Sequence, residues 1–292
     1  MFLNYPNWNT PLVKLERESK KFNCKIYAKL ELVNPTGSHK DRESVVVILD
    51  MKRKGFNSLA CASSGNAAIS FSAYAYMAGF KAHLFIGSDT PDEKIRLIEA
   101  FHPVIHKVEG DYLNAVKALK NFVKNKHIYN ANAGACPERL IGNTYIGIEI
   151  AAIKPTVVIC PTNNGTHFVG VGKGILSRGI KARMIAAIAP KTNIAHSIKG
   201  FYKLEEPKIS ELIDKTKGEI IEVSDSEIKE ACISLAKQGI IAEPASAASI
   251  AALNHLTLTK NDKVCATITS SGLKFPDLIK KTLNSEEIKN FK

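Results

Sequence analysis

The chain of 292 residues contains no run of eighteen apolar residues, so no segment is suited to cross a membrane as a helix. Low-complexity tracts are missing, and so is any repeat of solenoid period, which removes repeat arrays from consideration. Six cysteines occur, Cys24, Cys61, Cys136, Cys160, Cys232 and Cys265, but none form a C-x-x-C pair or a tight cluster. That spacing argues against a zinc ribbon, an iron–sulfur centre or a disulfide-stapled secreted module. Reduced, mostly buried thiols are the expectation. The opening MFLNYPNWNTPLVKL has no basic stretch ahead of an apolar core, so a secretory leader is not expected and a cytoplasmic location is.

Acidic residues are the minority charge: 40 Lys and Arg against 28 Asp and Glu give a formal net charge of +12. The basic residues are dispersed, with no aromatic–basic interleaving and no dense basic arm. Solvated surface lysines therefore account for the excess better than a nucleic-acid face does. Named motifs are missing as well. Neither Lys40 nor Lys173 completes G-x-x-x-x-G-K-[ST], Gly170-x-Gly172-x-Gly174 is not G-x-G-x-x-G, and neither G-x-S-x-G nor H-E-x-x-H occurs. His102 and His106 stand four apart, but Pro103 between them argues against a shared helical face, so they read as structural. An ATP or dinucleotide site, a hydrolase triad and a metal site are each disfavoured.

What the chain does have is alternation. Its 45% hydrophobic and 23% charged residues suit a folded protein, and its length suffices for one large core or two modest ones. Short apolar runs predict strands over 24–30, 59–62, 82–86, 104–108, 156–160, 183–188, 219–223 and 263–269. Amphipathic stretches predict helices over 41–54, 66–78, 92–101, 112–125, 138–153, 166–177, 225–238 and 245–254. Most strand runs are apolar on both faces, which specifies an α/β fold with mainly parallel sheets flanked by helices. A turn-rich break over 128–139 separates two β/α blocks. Two domains are expected, a smaller one over 44–143 and a larger one combining 1–43 with 144–292.

Three polar, glycine-bearing turns, over 34–40, 62–66 and 161–167, each lie between an apolar run and a helix. Such a turn presents free backbone N–H groups and the positive end of a helix dipole, which together favour anions. In parallel sheets these turns gather at the carboxyl edge of the strands, where ligands bind.

At 34–42 the chain reads NPTGSHKDR, which resembles the segment carrying the cofactor lysine in fold-type II pyridoxal-phosphate enzymes. These form the tryptophan synthase β-like superfamily, and the threonine synthases are the most similar branch. NTPLVKL over 9–15 with IYAKLE over 26–31, SSGNAA over 63–68, EPASAASIAAL over 243–253 and TSSGLKFPD over 269–277 resemble further family motifs, in the same order. The resemblance implies two α/β domains with pyridoxal 5'-phosphate in the cleft between them.

The resemblance also implies roles. Lys40 would form the Schiff base with the cofactor and then act as the mobile acid and base. Asn66 would meet the ring hydroxyl oxygen, and Thr269 the pyridine nitrogen, where a neutral hydroxyl suits elimination and replacement chemistry. Ser63, Ser64, Gly65 and Ala67 would take the substrate carboxylate. Where threonine synthases carry glycine-asparagine-alanine-glycine-asparagine for the cofactor phosphate, this chain has Asn163, Asn164, Gly165, Thr166 and His167. The phosphate is then expected on the helix start, with Thr166 or His167 as an extra donor. His39 stands in place of an apolar residue, as a histidine does in tryptophan synthase β-chains, and is expected near the same phosphate. Arg139, in CPERLIGN, matches the arginine that helps bind the substrate's phosphate.

The implied activity is that of a lyase in amino-acid biosynthesis, converting O-phospho-L-homoserine and water to L-threonine and phosphate. A small phosphorylated amino acid is the implied substrate and a homodimer the common assembly, with no nucleic acid, membrane or metal. Two alternatives stay open. One is serine or threonine dehydration, or cysteine synthase-type β-replacement, on the same scaffold. The other is a non-catalytic amino-acid or nucleic-acid binder, suggested by the net charge.

Overall fold

A computed structural model describes residues 8–283, apart from Asp89 and Pro91. The chain begins with β1 (Leu12–Lys14), α1 (Glu16–Lys21) and β2 (Lys25–Leu30). There follow α2 (Lys40–Lys54), β3 (Ser58–Ala62), α3 (Asn66–Met77), β4 (Lys81–Gly87), α4 (Asp92–Glu99), β5 (Val104–Val108), α5 (Tyr112–Val123), β6 (Tyr129–Asn130) and α6 (Glu138–Ile150). The remainder comprises β7 (Val157–Pro161), α7 (Thr166–Ser177), β8 (Arg183–Ile188), α8 (Lys208–Thr216), β9 (Glu219–Glu222), α9 (Asp225–Ala236), α10 (Pro244–Ala251), β10 (Lys263–Ile268) and α11 (Pro276–Thr282). No helix among the described residues is long and apolar enough to cross a membrane.

The chain divides into two compact units. Lys40–Gly142 belongs to one, and Trp8–His39 with the described residues from 143 to 283 forms the other. The first crossing point falls between residues 39 and 40, so Lys40 opens the smaller unit, whereas the sequence reading had it in the larger.

The smaller unit is built on four strands in the order β5-β4-β3-β6, parallel among the described residues. Its strands are apolar on both faces because helices cover both. On one face Ala115, Val116 and Leu119 of α5 pack against Ala60, Ala62 and Phe85. His106 lies flat on Phe85, with ring centroids 4.4 Å apart, and its Nε2 is 3.2 Å from His83 Nδ1. It serves packing, in keeping with its reading as structural.

The larger unit has six strands in the order β1-β2-β10-β7-β8-β9, with β1 antiparallel to β2 and the other pairs parallel. Its core gathers Ile26, Ala28, Val157, Ile159, Ile185, Ala187, Val264 and Ala266 from the sheet with Ala247, Ala248 and Ala251 of α10. The alanines let α10 lie close to the sheet, and every residue of that helix is buried. The glycines of α7 also serve packing. A Cβ on Gly174 would stand 2.1 Å from the Thr144 carbonyl oxygen, and one on Gly147 of α6 2.1 Å from that of Val171. Here α6 and α7 meet backbone to backbone, which explains a glycine-rich run that fits no nucleotide motif.

The expected elements are present with ends shifted by a few residues, and five more appear: β1, β6, α1, α8 and α11. All but α8 are seven residues or fewer, and two or three residues of strand carry no readable period; α8, at nine residues, is an amphipathic helix that the sequence reading missed. Adjacent parallel strands β2, β10 and β7 bring three segments to one carboxyl edge of the larger sheet: 34–39, 269–271 and 162–166.

Candidate active site

In the smaller unit Lys40 is the first residue of α2 and Asn66 the first of α3. The two helices are pinned near these starts. Ser70 Oγ donates to Asp41 Oδ1 at 2.7 Å and lies 2.7 Å from Ser44 Oγ, all three residues being buried. The turn 63–65 follows β3 directly. Its Ser63 N–H donates to the Phe85 carbonyl, and Gly65 N–H donates to Ser63 Oγ at 3.3 Å. A Cβ on Gly65 would meet nothing within 4 Å, so the space before this helix start is open. Ser63, Ser64 and Gly65 are half-buried, while Asn66 and Ala67 are buried.

Lys40 is held by a carboxylate that the sequence reading did not single out. Glu43, one turn further along α2 and fully buried, receives Lys40 Nζ on Oε1 at 2.6 Å. Its Oε2 receives Arg139 Nε, also at 2.6 Å. Arg139 donates a further bond to the Ala131 carbonyl at 3.1 Å, and its guanidinium lies 5.4 Å from the centre of the Phe71 ring. Burial lowers the pKa of Lys40 from its ordinary value; Glu43 opposes this and Arg139 adds to it. Burial likewise pushes the neighbouring Cys61 thiol up, against the pull of Arg139. Arg139 was expected to face a substrate phosphate, but the structure commits its Nε to Glu43 and leaves it 3% exposed. The i,i+3 spacing of Lys40 and Glu43 was visible in the sequence, yet such pairs are ordinary on exposed helices. Burial makes this one different.

In the larger unit Ser38 pairs with Ser270 as an antiparallel bridge, and His39 N–H donates to the Thr269 carbonyl at 2.8 Å. His39 Nδ1 lies 3.3 Å from the same carbonyl, and its ring centroid is 4.5 Å from that of His167. Thr269 Oγ1 is 2.9 Å from Ser246 Oγ, and Ser246 Oγ in turn accepts the Ser270 N–H at 2.8 Å. Thr269 and Ser246 are both buried.

The loop after β7 departs from the expectation in detail. Asn163 ties down the segment 197–202: its Nδ2 donates to the Ser197 and Lys199 carbonyls, and its Oδ1 accepts the Tyr202 N–H. Thr166 Oγ1 donates to Glu205 Oε1 at 3.2 Å. The two ring nitrogens of His167 meet Asn143 Oδ1 and Thr267 Oγ1, each at 2.9 Å. These side chains, expected on the cofactor phosphate, thus have protein partners. What the loop offers an anion is backbone, since the N–H groups of the first helical turn have no acceptor within the helix. Gly165, whose carbonyl accepts the Val169 N–H, makes the turn at φ +93°. A Cβ there would stand 2.4 Å from Ile209 Cδ1.

These residues fit pyridoxal phosphate. In the smaller unit Lys40 is a half-buried amine with a lowered pKa, and in the larger unit a helix start suited to a phosphate follows β7. Ser38 Oγ and Ser270 Oγ are buried with no hydrogen-bond partner among the described residues, and they flank the segments carrying Lys40 and Thr269. Buried hydroxyls left unpaired are costly, so a ligand that satisfies them gains by doing so. No group of three or more side chains among the described residues is arranged to hold a metal ion.

Two units built on mainly parallel sheets, a half-buried lysine at a helix start and polar turns at strand ends suit a cofactor-dependent enzyme of the fold-type II kind. The comparisons agree. The family described as "Pyridoxal-phosphate dependent enzyme" matches residues 3–270. The chain is 32% identical to threonine synthase of Bacillus sp. (strain ULM1), over 92% of this chain and 84% of that one. It is 30% identical to threonine synthase of Methanocaldococcus jannaschii, over 92% and 75% of the two chains. Among solved structures, maize serine racemase superposes with a TM-score of 0.80 at 17% identity, over 97% of this chain and 94% of that one. Tomato threonine deaminase isoform 2 superposes with a TM-score of 0.79 at 17% identity, over 97% and 91%. The chain belongs to the pyridoxal-phosphate dependent enzyme family. It is a pyridoxal-phosphate-dependent lyase.

Proposed function

We propose that this enzyme is a threonine synthase, converting O-phospho-L-homoserine and water to L-threonine and phosphate. The observation that carries the reading is the match to threonine synthases across more than nine-tenths of the chain. Pyridoxal phosphate, when bound, supplies the electron delocalisation that makes Cα and Cβ protons acidic. The protein supplies the rest. Lys40 binds the cofactor, takes the proton from substrate Cα and one from Cβ as phosphate leaves Cγ, and returns protons to Cγ and Cα, while water adds at Cβ. A desolvated lysine suits this work, because burial lowers its pKa and so makes its neutral, proton-accepting form more accessible. The backbone and hydroxyls of 63–67 hold the substrate carboxylate. Asn66 and Thr269 orient the cofactor ring, and the backbone of 165–168 holds the cofactor phosphate with Ser38 and Ser270 nearby.

One observation favours a second reading. Arg139 is engaged by Glu43, so no arginine is assigned to a substrate phosphate. The same machinery would then act on an unphosphorylated amino acid, by dehydration of serine or threonine or by β-replacement. Purified wild type and Lys40→Ala are compared by visible absorbance and by turnover of O-phosphohomoserine, O-phosphoserine, O-acetylserine, serine and threonine. Borohydride should fix the cofactor to Lys40 in the wild type, and O-phosphohomoserine should give the fastest turnover. Faster turnover of serine or threonine would replace the first reading by the second.

A further inference from the structure

Lys40 and Glu43 of α2 and Arg139 of α6 form one ion-paired group. Two cations share one carboxylate, with Nζ and Nε each 2.6 Å from a separate oxygen. The carboxylate is 0% exposed and the guanidinium 3%, while the lysine side chain retains 16%. Of the three side chains the lysine keeps the most exposure. From β3 the Cys61 thiol faces the same cluster, and its burial pushes it toward the uncharged form. Asp41, the other acid in this turn of α2, accepts a bond from Ser70 on α3. Glu43 is therefore the carboxylate hydrogen-bonded to Lys40.

We propose that Glu43 is the positioning residue of Lys40, holding Nζ at the start of α2 and balancing a proton on it, with Arg139 serving as counter-ion to Glu43. This rests on Lys40 being the cofactor lysine. Charge bookkeeping shows what the arrangement does. With Lys40 protonated the three groups sum to +1, and Glu43 lies against the new charge. With the Lys40 nitrogen neutral, Glu43 and Arg139 still compensate one another, so no lone charge stays buried. Glu43 favours the protonated nitrogen and Arg139 the neutral one. A lysine that must hold and release a proton repeatedly needs both states to be accessible.

The test is a pH titration of the visible band of the holoenzyme, in wild type, Glu43→Gln and Arg139→Met, with borohydride trapping and peptide mapping of each. Removing a carboxylate at this distance should lower the titration midpoint by about one to three pH units. Removing the arginine should raise it. Opposite shifts distinguish charge balance from damage, which has no reason to act in opposite directions. Should Glu43→Gln not fold, the upward shift in Arg139→Met carries the test. Shifts of one sign, or none, with the cofactor trapped on Lys40, overturn the role of Glu43 and leave the lysine assignment standing. Trapping elsewhere in the wild type overturns both.

Discussion

Arg139→Met separates a structural counter-ion from a substrate ligand. Arg139 Nε lies 2.6 Å from Glu43 Oε2, with the two side chains 3% and 0% exposed. Removing one partner of such a buried pair typically costs about 3–5 kcal/mol, because the other charge is left uncompensated. Here the low end applies, since Lys40 Nζ remains on the second oxygen of Glu43. The Ala131 carbonyl also loses its guanidinium donor, which adds roughly 1 kcal/mol. Methionine keeps an apolar stem against Phe71, so packing changes little. The expected loss is about 4 kcal/mol, which for a chain of this size lowers the thermal midpoint by roughly 6–7 °C. Unfolding of the cofactor-free protein, followed by far-ultraviolet circular dichroism with heat and with urea, reads it. Turnover of a phosphorylated substrate is measured alongside. A loss below about 1 kcal/mol, coupled to a large rise in KM for that substrate, would refute the reasoning and return Arg139 to the substrate.

Two further outcomes follow from buried polar groups. Ser270→Ala removes a hydroxyl that lacks a partner, so it should raise the stability of the cofactor-free protein by roughly 1 kcal/mol while weakening cofactor binding; unfolding midpoints with and without pyridoxal phosphate check this, and a fall in both would count against a ligand-facing role. Asp50 is held by Lys54, Arg53 and the Tyr129 hydroxyl, which outweigh the opposing effect of burial and bring its pKa from 3.8 to about 2. A carboxyl depressed on folding binds fewer protons folded than unfolded, so its stabilisation is present above pH 3.8 and fades as pH falls towards 2. Asp50→Asn should therefore flatten the acid limb of the stability profile between those values, and an unchanged limb would contradict the assignment.

Much of the fold was legible because the signals are local. The strands Val104–Val108 and Arg183–Ile188 and the helix Thr166–Ser177 begin and end where their hydrophobic patterns do. The short β1 and β6 were not legible, since each exists only through its neighbour: Leu12–Lys14 pairs against Lys29, Ala28 and Tyr27, and Tyr129 and Asn130 against Leu59 and Ala60. A segment of two or three residues has no period of its own. The polar turns were visible as composition, but the use made of each side chain was not. His167 finds Thr267 a hundred residues away, and Asn163 finds carbonyls more than thirty residues along.

By itself the sequence determined the class of fold and the family, because alternation of apolar runs and contiguous motifs are properties of neighbouring residues. Only the tertiary structure decided that Glu43 is buried between Lys40 and Arg139, and that the loop side chains at 163, 166 and 167 turn to protein partners. It also left the buried hydroxyls of Ser38 and Ser270 without a partner among the described residues. The reason is physical. Whether a charge or a hydroxyl is free depends on what else is excluded from water beside it, and the chain brings those groups together only by folding.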